Sequence, residues 1–469
     1  MTFRPARTAV GLLLATVACQ SPPKPLASSL SVTSQTPPSS LLRLPSGGGV
    51  AQVYRVPALV ETTWRSQGRF PALRRAIGAD LDQAMVYALT STSEVVALDL
   101  ESGRVRSVLT GVRDAALGPD GALYSVDDSN AVTRTVRRNP VRFRTRLPGR
   151  PRDLFGTKDD RLLALSTAPA NTLTILSGDD PARTVPLPRG DAAATYWGDL
   201  VAVAADTAVV LFDPRAVDQL QSLPVDGHAR AVVFSPSGHR LYVARREGGI
   251  LVVNRFSQEI AGELKLPGPA GAFRPDPFGR WLLVHPPTAD SLWLVDLATG
   301  RYARGFATSW GPDLPTVTNQ QTLLLRNGND VEAYDLSRPE LPQSGRVAGG
   351  GRDLWVSLAW TPETGTQSAA LPDSTAAAAA DSTTGVPGAG TIGGVFLQVS
   401  SSQNPAWAAE LARQLTDAGL PASVLKPRAA EDGYRVVLGP YASRDEAEAT
   451  GRKLGRPFFI YQPDQAPDR

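Results

Sequence analysis

The chain has 469 residues, 42% of them apolar and 20% charged, with 48 basic and 45 acidic side chains and a formal net charge of +3. That length leaves room for two or three domains, and charge this nearly balanced argues for solubility rather than a dedicated polyanion site. A single cysteine excludes an internal disulfide framework, three histidines leave few transition-metal ligands, and 42 glycines with 40 prolines favour turns and linkers over long helices.

Arg4 and Arg7 precede an apolar run from Ala9 to Ala18, and Cys19 follows. A basic start, a short apolar core and a small last residue predict an export signal over residues 1–18, too short to span a membrane as a helix. Thr16-Val17-Ala18-Cys19 resembles a lipobox, which implies cleavage before Cys19 and attachment of lipid to its thiol. The alternative is a plain secretory signal cut nearby, but an exported thiol with no disulfide partner favours lipidation. Residues 19–49 are rich in Pro and Ser, bury too little apolar surface to order themselves, and predict a tether.

Residues 50–362 alternate apolar runs of five to seven residues with turn chemistry, as in Val95-Val96-Ala97-Leu98-Asp99 and Trp281-Leu282-Leu283-Val284-His285. One position recurs as Asp99, Ser177, Asp213, Asn254, Asp296 and Asp335, at intervals of 36, 41, 42 and 39 after a first gap of 78. Turns of the type Pro119-Asp120-Gly121, Pro236-Ser237-Gly238 and Pro277-Phe278-Gly279 precede the second strand of several units. Four strands every 40 residues or so predict an all-β, seven-bladed β-propeller with units starting near 72, 111, 150, 191, 228, 269 and 312. Strand-like stretches at 50–56 and 352–360 lie outside that count; they supply either a closing strand or an eighth blade. The pattern resembles the YVTN and lactonase-like propellers.

Nothing in this region forms a catalytic constellation. His228, His239 and His285 lack ligand spacing; His239 falls in a turn and His285 at a strand end, both read as solvated. The recurrent aspartates suit turn caps, because Asp hydrogen-bonds its own backbone there. No nucleophile elbow, phosphate loop or zinc motif appears, so no catalytic residue, metal or cofactor is expected. Arg134, Arg137, Arg138, Arg142, Arg144, Arg146, Arg150 and Arg152 give one basic stretch. It is either a solvated outer strand that resists edge-to-edge aggregation or a surface for anionic envelope lipid or polymer. Nucleic acid is not an expected partner for an exported chain.

Residues 363–392 are a second linker, on the order of 30 Å as a flexible coil. Residues 393–463 then read strand, helix, strand, strand, helix, strand, a small α+β ferredoxin-like layer. Asn404-Pro405 opens the first helix and Gly419 stops it, while Ser443 and Glu446 form a capping box for the second.

The frame Val395-Phe396-Leu397-Gln398-Val399-Ser400-Ser401, followed by Tyr434-Arg435-Val436-Val437-Leu438-Gly439-Pro440-Tyr441 and Ser443-Arg444-Asp445-Glu446-Ala447, resembles a SPOR domain. That resemblance implies binding of bacterial peptidoglycan, preferentially glycan strands stripped of stem peptides at the division septum. With both helices on one sheet face, Leu397 and Val399 should point to them. Phe396, Gln398 and Ser400, joined by Arg435 and Val437, should lie on the open face. An aromatic plate with amide, hydroxyl and guanidinium groups suits a sugar polymer; an ordinary solvated sheet face is the plainer account.

The expectation is a lipid-anchored envelope protein facing the periplasm or cell-wall space, with enrichment at the septum as the SPOR resemblance implies. Its tail holds glycan without catalysis and its propeller is a scaffold for envelope or division proteins. The alternative is a propeller enzyme, lactonase-like or a cell-wall hydrolase, delivered by the same tail.

Overall fold

The computed structural model describes residues 39–362 and 394–461, apart from short segments within each. Among the described residues before 363, thirty strands, β1 (Ser40–Leu44) to β30 (Leu354–Leu358), form six four-stranded sheets and one of six strands. The strands are short and apolar on both faces: Leu282, Leu283 and Val284 are consecutive and all fully buried. Sheets of that kind must pack against neighbours on either side. They do so in sequence, each sharing a buried apolar cluster with the next.

The turns follow from local chemistry. Gly121, Gly238 and Gly279, each with φ between 68° and 78°, donate to the carbonyls of Gly118, Ser235 and Asp276 at 3.0, 2.8 and 3.1 Å. Three of the recurrent aspartates cap turns as expected. Asp99 Oδ1 accepts from the Glu101 and Ser102 amides at 3.0 and 2.9 Å, Asp296 Oδ1 from Ala298 at 2.8 Å, and Asp335 Oδ1 from Ser337 at 2.9 Å.

Both ends of the body meet in one sheet, ordered β3 (Val60–Arg65), β2 (Gln52–Arg55), β1, β30. β1 and β30 are antiparallel, with Ser40 opposite Leu358 and Leu44 opposite Leu354. This sheet shares one apolar cluster with the sheet that follows it and another with the last sheet, so the ring closes. Asp313 locks the seam: it receives Arg326 through two contacts, at 2.9 and 2.5 Å, and the Trp355 amide at 2.8 Å.

The tether expected over residues 19–49 therefore gives up its last part to the fold, since β1 lies inside it. Leu41, Leu42 and Leu44 are fully buried there, and without β1 the edge of β30 would be unpaired. The stretches at 50–56 and 352–360 join that sheet rather than standing apart. The basic stretch contributes β11 (Asn139–Arg146), the outer edge strand of its sheet. Residues 1–38, with Cys19, and 363–393 lie outside the described residues.

The terminal domain is a second, smaller layer of β31 (Val395–Ser402), β32 (Ala422–Leu425), β33 (Tyr434–Tyr441) and β34 (Phe459–Tyr461), ordered β32-β33-β31-β34 and antiparallel throughout. Helical residues Ala408, Ala412 and Leu415, with Ala447 of the helix Arg444–Lys453, cover Leu397, Val399, Val436 and Leu438. The capping box forms, with Ser443 Oγ receiving the Glu446 amide at 3.2 Å and Glu446 Oε2 the Ala442 amide at 3.0 Å. Gly419 ends the first helix as expected: its amide bonds the Thr416 carbonyl at 2.9 Å and the Leu420 amide bonds the Leu415 carbonyl at 3.0 Å.

If β1 is structural, Leu42→Ala should cost about 2–5 kcal/mol of stability, as for other buried leucines. Urea denaturation followed by tryptophan fluorescence reads this directly. A residue in a free tether would leave the midpoint unchanged.

Candidate functional site

The sequence placed Phe396, Gln398, Ser400, Arg435 and Val437 on an open sheet face. β31 and β33 do bring four of them together: Gln398 pairs with Val437, Phe396 lies two residues back on the same strand, and Arg435 two residues back on the other. The register shifts between Gln398 and Ser400, so Ser400 pairs with Val436, while Ser401 stands opposite Arg435. The side chain of Ser400 lies outside the described residues.

The face is not open. Phe396 is 4% exposed and Gln398 and Val437 are 0% exposed, yet none belongs to the apolar cluster beneath the helices. Only the margins remain in solvent, with Ser423 exposed and Arg435 half-buried. The expectation of an accessible platform is thus corrected. Alternation along a strand tells which side a residue faces but not what covers that side.

Contacts with the propeller accompany this burial. Arg280 Nη1 donates to Glu448 Oε2 at 2.8 Å, and Arg444 Nε donates to Glu448 Oε1 at 2.9 Å. The Glu448 side chain is 3% exposed, so these two guanidiniums replace part of the solvation that water would otherwise give its carboxylate. The Phe458 carbonyl oxygen lies 3.2 Å from where a Cβ on Gly279 would stand. Trp281, Val317 and Gln321 line the narrow gap between Arg280 and the pair Glu448 and Phe458. On the propeller side, His239, Gly279, Arg280, Thr318 and Gln321 all sit in or beside the turns after β18 (Leu220–Phe234), β22 (Ala272–Pro275) and β26 (Thr316–Val317).

His239, read from sequence as solvated, is buried. Its pKa falls from 6.5 to about 3, first because burial penalises the imidazolium and then because Arg435, Arg240 and Arg255 surround it with positive charge. Arg435 belongs to the terminal domain, so its field reaches across the contact. His285 is instead stacked on Trp310, with ring centroids 5.3 Å apart, and His228 is exposed and paired with Glu247. Among the described residues no group of three or more His, Cys, Asp or Glu is placed to hold a metal ion.

Gln398 has a cost of its own. Among the described residues neither its Oε1 nor its Nε2 has a hydrogen-bond partner. A buried polar group left unsatisfied costs about 1–3 kcal/mol. Glu448, Phe458, Arg280 and His239 were not identifiable as site residues from sequence, because each matters only through a contact between domains.

A family model described as the SPOR domain matches residues 392–460. A search of curated proteins finds no match. Among solved structures, AztD from Citrobacter koseri in its apo form is similar at 12% identity and a TM-score of 0.49, over 68% of this chain and 98% of that one. The dihydro-heme d1 dehydrogenase NirN, in complex with DHE, is similar at 14% identity and a TM-score of 0.51, over 68% and 74%. The latter likeness speaks for a propeller-like body and, at that identity, for fold alone.

The histidine yields a pH prediction. Above pH 6.5 the imidazole is neutral folded or unfolded and makes no difference. As pH falls below 6.5 the unfolded chain takes up a proton that the buried ring refuses down to about 3, so stability is lost across that window. Thermal unfolding of His239→Gln between pH 7 and 4 should therefore show a shallower acid loss than wild type. Parallel slopes would mean the ring is not buried as described.

Proposed function

We propose that this chain is a non-catalytic lipoprotein of the bacterial cell envelope, exported by residues 1–18, lipidated at Cys19, and bound to peptidoglycan through its terminal domain. One observation carries the reading: the SPOR-domain match over residues 392–460 falls on a four-stranded layer in the ferredoxin-like order. The ligand class follows from the family resemblance, namely glycan strands without stem peptides, which would enrich the protein at the septum. Phe396, Gln398, Ser400, Arg435 and Val437 are the residues assigned to the sugar, with Arg435 the charged hydrogen-bond donor. The propeller acts as a docking body for envelope or division proteins, and lipid and glycan tethers on one chain raise the local concentration of whatever it holds. Among the described residues no helix is long and apolar enough to cross a membrane; the proposed lipid anchor rests on the lipobox-like Thr16-Val17-Ala18-Cys19.

We read the body as eight blades. In the six-stranded sheet Asp206 pairs with Ala229 but Ala208 pairs with Pro224, a break within two continuous strands. One apolar cluster joins Ala204 and Leu211 to Val243 and Leu251, as an interface between blades would. Dividing the sheet there makes eight four-stranded units.

The test is co-sedimentation of the full chain with purified glycan strands, with and without stem peptides. Retention should exceed that of an unrelated control protein and favour the denuded polymer. Retention equal to the control on both polymers sinks the reading.

A further inference from the structure

We infer that the propeller masks the sugar-facing side of the terminal domain, so that the chain has a closed state occupied by its own body and an open state that takes glycan. This rests on the glycan reading above. Three of the residues assigned to the polymer are withdrawn from solvent. Phe396, Gln398 and Val437 are buried although they belong to no helix-covered core. Arg435, at the margin of the same face, lies within the electrostatic reach of His239 on the propeller.

The closed state has a defined latch. Glu448 is held by Arg280 from the propeller and by Arg444 from its own helix, at 2.8 and 2.9 Å. Removing Arg280 leaves a buried carboxylate with one partner fewer, so the pair is strongly coupled to docking. The second contact is steric. A side chain at position 279, where φ is +70°, would put its Cβ 3.2 Å from the Phe458 carbonyl oxygen, so the carbonyl would have to give way by a few tenths of an ångström.

The closed state also carries its own cost. The Gln398 amide is stranded, with neither polar atom partnered among the described residues. Sugar hydroxyls both donate and accept, and would satisfy the two ends of that amide once the face is free. Glycan therefore has a differential affinity for the open state, which is the requirement for shifting such an equilibrium. Apparent affinity for polymer is lowered by the fraction of chains that are open.

The experiment compares wild type with two independent openings of the latch in the full chain, Arg280→Glu and Gly279→Asp. Arg301→Glu, an equal charge change on an exposed residue of the same sheet, is the control. Small-angle scattering reads the opening, co-sedimentation with denuded glycan reads binding, and the propeller's unfolding transition confirms that each variant is folded. Both openings should enlarge the radius of gyration and raise glycan affinity by about tenfold, as for a site closed nine-tenths of the time, while the control matches wild type. Enlarged variants that bind like wild type overturn the masking. So do two folded variants that stay compact with unchanged binding. Enlargement with no retention by any form supports the closed contact and overturns the glycan reading instead.

Discussion

The pairing of β1 with β30 is the constraint on which the body depends. Each sheet is apolar on both faces, so a gap anywhere in the ring would expose two such faces at once. The gap is closed by strands from the two ends of the body, and the Asp313 carboxylate, bound by Arg326 and the Trp355 amide, fixes the seam. Arg326 and Asp313 are 8% and 7% exposed, and the pair keeps its partners because each charge is hydrogen-bonded as well as paired. A single leucine-rich segment at residues 40–44 thus belongs to the propeller and not to the tether before it.

Closure also determines what the terminal domain meets. Equivalent turns of successive units collect on one side of a closed ring. Three of them bring His239, Gly279, Arg280 and Gln321 together, although 82 residues separate His239 from Gln321. The result is a docking surface with a cation and a close backbone approach. The terminal domain answers with Glu448 and the Phe458 carbonyl. Neither half of the contact has meaning in isolation.

The electrostatics of that contact run in one direction. Arg240, Arg255 and Arg435 keep His239 neutral, burial doing most of the work. Glu448 is the carboxylate that the contact places against a propeller arginine. A contact of this kind is strong when paired and costly when broken, whereas the unsatisfied amide of Gln398 pulls against it. The balance of those terms, rather than apolar area alone, sets how firmly the two parts hold together.

Much was legible in the sequence because it is local. Period-two and unbroken apolar runs gave the strands; Asp99, Asp296 and Asp335 announced their turns; Gly419, Ser443 and Glu446 marked helix ends. The helix-facing side of Leu397 and Val399, and the shared face of Phe396, Gln398, Arg435 and Val437, follow from alternation. What alternation cannot carry is the partner of a face. The burial of Phe396, Gln398 and Val437, the inward position of His239, the register shift before Ser400 and the place of Leu42 in the ring were decided by tertiary structure. Each depends on surfaces brought together from distant parts of the chain, and hydrophobic pattern records which residues seek cover without recording what provides it.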